Sequence, residues 1–246
     1  MRGANFHLRR DRVADFDSLR VVYEVEGRLV NEAPLRVGVG RGEELGSPSD
    51  LPIIRISWSG GRDVPYIPGS SLKGVLRSHV ERLAAAIYGP DAVHPPFDTN
   101  KAEEEFEKDM ICAVCGIFGS IKVASHLVVR DSLPLNSPTI MLKPGIGINR
   151  DFGGVQPGIG PFSEEYVSPG VEWSFNMKIM NIPIEDEGAE DPRPRLLRLL
   201  ISSMGRGELQ LGGRKSVGAG VISLKYLKVW KKMVADGELR VVEVKI

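Results

Sequence analysis

Six stretches of the chain carry a clear hydrophobic period, and their order is the strongest constraint on what it can fold into. Residues 18–30 alternate apolar and polar side chains around Leu19, Val21, Tyr23 and Val25, the pattern of a strand with one buried face. Residues 70–88 instead place Leu72, Val75, Leu76, Val80, Leu83 and Ile87 at helical spacing, with Ser70 or Ser71 expected as N-cap and Gly89-Pro90 as the stop. A short strand is expected at 126–129 and a second alternating strand at 171–180. A second amphipathic helix follows at 194–204, ended by Gly205, and a last strand at 217–230. Strand, helix, strand, strand, helix, strand is the split βαβ order, so the predicted class is α+β with a ferredoxin-like (RRM-like) βαββαβ core.

Between these elements lie long segments that need their own account. Residues 31–65 and 133–170 are rich in glycine and proline, and residues 90–118 are acidic and proline-bearing. The first of these reads as a loop, and loops of that length inside a compact domain are usually functional. The segment 144–170 reads as an extended hairpin or arm that packs little core of its own. The expectation is one domain over 1–246, with a core of about 18–30, 66–89, 119–132 and 171–230 and insertions between. Its 42% apolar and 26% charged residues fit a soluble globular protein. No apolar run reaches the ~20 residues that span a bilayer, and the opening residues lack a signal-peptide core, so a cytoplasmic chain with no membrane partner is expected.

Net charge is zero, but its distribution is uneven. Residues 192–232 hold ten Lys or Arg against Glu208 alone, whereas residues 90–110 hold seven acids against two lysines. A basic face set against an acidic one suits a partner rich in phosphate. Two basic stretches stand out within this pattern. In Tyr66-Ile-Pro-Gly-Ser-Ser-Leu-Lys-Gly-Val-Leu-Arg77, a helix start with two hydroxyls carries Lys73 and Arg77 one turn apart, without an acid on that face before Glu81. In Leu211-Gly-Gly-Arg-Lys-Ser-Val-Gly-Ala-Gly220, glycines alternate with Arg214, Lys215 and Ser216, so backbone amides can approach an anion closely. The second is not a nucleotide-binding P-loop, because no Lys-Ser/Thr pair closes a GxxxxGK pattern and a strand follows it.

Cys112-Ala-Val-Cys115 supplies two thiols, half of a tetrahedral zinc site, with His79, His94 and His126 in sequence reach besides His7. Buried free thiols are the alternative reading, and a redox pair is a weaker one without a thioredoxin-like context.

Taken in order, the helix-start motif, Phe118-Gly-Ser120, His126-Leu-Val-Val-Arg-Asp-Ser132 and the closing glycine-rich stretch resemble the backbone subunits of type III CRISPR effector complexes in the repeat-associated mysterious protein (RAMP) superfamily. The resemblance implies a subunit that grips guide RNA (crRNA) on a ferredoxin-like palm, stacks with copies of itself and other subunits, and reaches into the guide–target duplex with a thumb-like arm. It implies palm contacts from Ser70, Ser71, Lys73, Arg77, Gly213, Arg214, Lys215 and Ser216, and a thumb near 142–156 with Lys143, Asn149 and Arg150 close to the guide. It further implies that the aspartate in Asp50-Leu-Pro-Ile-Ile-Arg55 cuts complementary target RNA with Mg2+ or another divalent cation. Glu43 and Glu44, in the loop ahead of it, are the next carboxylates. Some relatives carry a structural zinc beside this helix, which makes His94 and His79 the preferred partners of Cys112 and Cys115. A backbone subunit that binds crRNA without cutting is the competing reading. A guide-processing endoribonuclease of the same superfamily, which usually employs a histidine base, is the other, and the absence of a histidine near the first strand or within the helix-start motif, other than His7 and His79, counts against it.

Overall fold

The computed structural model describes residues 6–39, 49–58, 62–157, 161–186 and 190–246; Glu43 and Glu44 lie outside them. Among the described residues the chain forms β1 (His7–Arg9), β2 (Val22–Asn31), β3 (Arg55–Trp58), β4 (Arg62–Pro65) and α1 (Gly69–Tyr88). It continues with α2 (Thr99–Glu107), β5 (Met110–Cys112), α3 (Ala113–Phe118), β6 (Leu127–Val129), β7 (Ile140–Gly145) and β8 (Phe162–Val167). The remainder is β9 (Glu172–Met180), α4 (Pro192–Gly205), β10 (Leu209–Gln210), β11 (Val221–Ala235) and β12 (Glu238–Val244).

The result is a mixed α/β chain with antiparallel sheets. The main sheet runs β10-β11-β2-β9-β6, with β12 added along the far half of β11. Strand β9 alternates strictly, so Trp173, Phe175, Met177 and Ile179 are buried while their neighbours stay half-exposed. These four meet the apolar stripes of α1 (Leu72, Leu76, Val80) and α4 (Leu196, Leu197, Leu200, Ile201) in one cluster. Each fully buried side chain of this kind contributes about 2 kcal/mol by leaving water, and that burial sets the helices against the sheet.

The sequence expectations are corrected at several points. The first predicted strand, β2, begins at Val22, because Asn181 holds the preceding segment out as a loop. Its side chain accepts the Arg20 amide at 2.9 Å and donates to the carbonyls of Asp15 and Ser18, both at 2.8 Å. Helix α1 starts at Gly69 and takes no serine cap. Asp131 Oδ1 instead accepts the Gly69 amide at 2.7 Å, from 62 residues away. A Cβ at Gly69 would lie 2.4 Å from the Val129 carbonyl, so only glycine permits this docking. The acidic insertion builds α2, β5 and α3, and β5 pairs with β1.

The hairpin β7–β8 falls in the region expected to form an extended hairpin or arm with little core of its own, yet its root is packed. Glu164, Glu165, Tyr166 and Val167 are buried, and bridges join Val167 to Leu35 and Glu164 to Leu51. Exposed apolar side chains gather towards the other end, at Leu142, Ile146, Ile148 and Phe152. The last predicted strand, β11, starts at Val221 and runs to Ala235, where Asp236-Gly237, both at positive φ, turn it into β12. Asp-Gly is the standard residue pair for a tight hairpin turn, and the sequence reading passed over it.

Candidate functional site

The two basic motifs, more than 130 residues apart in sequence, meet in space. Ser70, Ser71, Gly74 and Ser78 on α1 line one wall of an open cleft of about 490 Å³, and Leu211, Gly212, Gly213 and Lys215 line another, with Val37 and Gly38 between. Glycine makes this possible. At Gly212 (φ +81°) a Cβ would sit 2.0 Å from the Arg36 carbonyl, which also accepts the Gly213 amide at 2.9 Å. The turn therefore lies flush on the segment after β2, and Lys215 and Ser216 project from it, exposed. A cleft lined by hydroxyls, backbone and one exposed lysine can take a sugar-phosphate strand without reading its bases.

Lys73, Arg77 and Arg214, grouped with these residues from sequence, have partners inside the chain. Lys73 Nζ donates to Ser125 Oγ at 2.8 Å, and burial together with the Arg77 charge pulls its pKa below the usual lysine value. Arg77 bonds Glu81 at 2.8 Å and the Gly119 carbonyl at 2.7 Å. Two cations one turn apart on a helix repel each other, and here Ser125 and Gly119 from other elements, as well as Glu81, take their bonds. Arg214, in the left-handed region at φ +60°, binds Glu164 of β8 and lies over the Phe162 ring.

Asp50 is exposed at the end of its loop. Its Oδ2 accepts from the Ser163 amide at 2.7 Å and from Ser163 Oγ at 3.0 Å. The backbone donor, then the hydroxyl, holds this carboxyl below its usual pKa, so it is charged at neutral pH. On the arm, Lys143 Nζ lies 4.9 Å from the Tyr166 ring centre and Arg150 is exposed. Asn149 serves the turn itself: its side chain donates to Gln156 Oε1 at 2.5 Å and accepts the Asp151 amide.

Cys112, Cys115 and His94 are brought together, all buried, with their ligand atoms within 4.8 Å of one another. His79 stays outside this group. Its ring faces Arg82 at 3.5 Å on α1, so the expected fourth ligand is not the one nearby. Glu105 stands there instead, with Oε2 3.4 Å from His94 Nε2 and accepting the Cys112 amide at 3.1 Å. Of the remaining sequence candidates, His126 is buried against Asp15 at 2.9 Å and His7 Nε2 lies 3.2 Å from Glu105 Oε1.

Hydrogen bonding from Cys112 and the adjacent His94 bring Cys115 down to about 5, against the effect of burial. The Cys115 and Glu105 contacts push His94 up to about 10. The hydrogen bond to Cys115 and burial push Cys112 up. Two thiols and an imidazole, buried and convergent, are donors that zinc prefers, and Glu105 contacts the imidazole beside them. Sequence reasoning missed Glu105, Ser163, Glu164 and Glu165. None of these four has a motif or spacing that would mark it out among acids and serines.

A family model described as the RAMP superfamily matches residues 29–223. The chain is also 25% identical over 239 residues to a protein of Methanothermobacter thermautotrophicus described as "CRISPR system Cms endoribonuclease Csm3", a match covering 86% of this chain and 87% of that one.

Proposed function

The chain belongs to the RAMP superfamily, and from that premise we propose that it is a Csm-type backbone subunit of a type III CRISPR complex, which binds crRNA and cuts complementary target RNA. The observation that carries this reading is the cleft in which the serine-rich start of α1 faces the glycine-rich turn. Ser70, Ser71, Gly213, Lys215 and Ser216 hold the guide backbone there, while base pairing to the guide supplies sequence choice. Lys73, Arg77 and Arg214 shape the walls of this site and add positive potential from behind. The four strands β11-β2-β9-β6 with α1 and α4 form the ferredoxin-like palm of a single domain. The β7–β8 hairpin is the thumb, with Lys143 and Arg150 near the guide and its exposed apolar tip against the paired bases.

Asp50 is the cleaving carboxylate. It orients the ribose 2′-OH for in-line attack on the adjacent phosphate, and the 5′-oxygen of the next nucleotide leaves. A divalent cation held beside it supplies charge neutralisation at that phosphate. Zinc at Cys112, Cys115, His94 and Glu105 serves structure, tying α2, β5 and α3 together. Copies of this chain and other subunits stack along one guide in the cytoplasm, and no helix among the described residues is long and apolar enough to cross a membrane.

The test is to incubate the assembled complex with end-labelled complementary RNA and Mg2+. Evenly spaced cuts that vanish with non-complementary RNA support the reading. A complex that binds both guide and target and never cuts makes the chain a scaffold.

A further inference from the structure

Three consecutive residues of β8 each hold a different part of the molecule. Side chains on a strand point alternately to opposite faces, so Ser163 and Glu165 share one face and Glu164 takes the other. Ser163 engages residues 49–51 with every polar group it has. Its amide and hydroxyl reach Asp50 Oδ2, its hydroxyl accepts the Asp50 amide at 3.2 Å, and its carbonyl accepts from the Leu51 amide at 3.2 Å and Ser49 Oγ at 2.9 Å. Two residues on, buried Glu165 accepts the Ile53 amide at 3.1 Å and Arg55 Nη2 at 2.7 Å. The segment 49–55 is therefore fastened along β8, and Glu164 on the reverse face fastens Arg214 of the glycine-rich turn.

We propose that Ser163 is a positioning residue for target cleavage, clasping Asp50 to the root of the β7–β8 hairpin so that the cutting carboxylate keeps register with the hairpin. This rests on Asp50 being the cleaving residue. Both Ser163 bonds to the carboxylate land on Oδ2, which fixes the plane of the group and leaves Oδ1 outside the clasp. A hairpin seated in the guide–target duplex then carries Asp50 to one phosphate rather than to a range of them. Glu165 anchors the downstream end of the same segment, so losing Ser163 frees the carboxylate without detaching the loop.

The experiment compares assembled complexes carrying wild-type chain, Ser163→Ala, Ser163→Thr and Asp50→Asn, on end-labelled complementary RNA with Mg2+. Ser163→Ala should bind target as wild type does, cut roughly 10- to 100-fold more slowly, as expected for a misplaced reacting group, and spread its cuts to neighbouring positions. Ser163→Thr, which keeps the hydroxyl, should restore both rate and position. Hydrogen exchange on the isolated full chain reads the clasp without cutting: the Asp50 amide should exchange faster in Ser163→Ala. Wild-type rate and cut positions in Ser163→Ala, with Asp50→Asn inert, would overturn the proposal alone. Cutting by Asp50→Asn at the wild-type rate would remove the premise instead, and the positioning role with it.

Discussion

Arg214, in the glycine-rich turn, and Glu164, at the root of the hairpin, are joined by two contacts to a single carboxylate oxygen, Oε1 lying 2.8 Å from Nε and 2.6 Å from Nη2. Tyr166 donates to the other oxygen at 2.7 Å. Together with the Arg214 guanidinium over the Phe162 ring, the Arg214–Glu164 pair links the turn that lines the cleft to the strand that holds Asp50.

Glu164→Gln should therefore loosen the turn. Arg214 is nearly half exposed, so solvent screening limits the loss to about 1 kcal/mol of stability, readable as a shift of the urea midpoint. Burial acts to raise the Glu164 carboxyl, but the Arg214 and Tyr166 bonds win and hold it below the ordinary 4.5. A lowered folded-state value means this stabilisation is complete above the ordinary carboxylate range and is lost as the pH falls through the folded value. The difference between wild type and Glu164→Gln should be largest near pH 7 and shrink in acid.

The cleft predicts unequal roles for the lysines. Lys215 is exposed on the cleft wall, so Lys215→Ala should weaken crRNA binding and reduce the slope of log K against log salt by about 1. Lys73 is bonded to Ser125, so Lys73→Ala should lower stability more than it changes that slope. Fluorescence titration of labelled guide at several salt concentrations checks both, and equal slopes for Lys215→Ala and wild type would remove Lys215 from the grip.

The cysteine cluster predicts about one zinc per chain in protein prepared without chelator, measured by elemental analysis. Replacing Cys112 and Cys115 by serine should release the metal and lower Tm by roughly 5 °C or more. Glu105→Gln should weaken zinc binding and His79→Ala should not. Metal-free wild-type protein would contradict the site.

What the sequence made legible was periodic. The helical stripe of α1 and the alternation of β9 follow from burial on one face, and both lie within a residue or two of where they were expected. The meeting of Ser70 with Lys215 was legible through family resemblance alone, since no local rule joins two motifs so far apart. The rest depends on partners brought from a distance. Asp131 displaces the expected serine cap at Gly69, and Ser125 and Gly119 give Lys73 and Arg77 partners from other elements. Ser163 meets Asp50 across 113 positions. Glu105 reaches His94 because it also accepts the Cys112 amide of β5, whereas His79 faces Arg82 on α1.

The central claim is that this chain cuts RNA through Asp50, and Asp50→Asn in the assembled complex tests it most directly. The substitution keeps the shape of the side chain and can still accept the Ser163 amide, so guide and target affinities should stay within about twofold of wild type, as for other exposed substitutions. Single-turnover cutting of complementary RNA with Mg2+ should fall by at least about 100-fold, because the lost charge acts in the reaction and not in binding. Cutting at the wild-type rate by Asp50→Asn would contradict the claim.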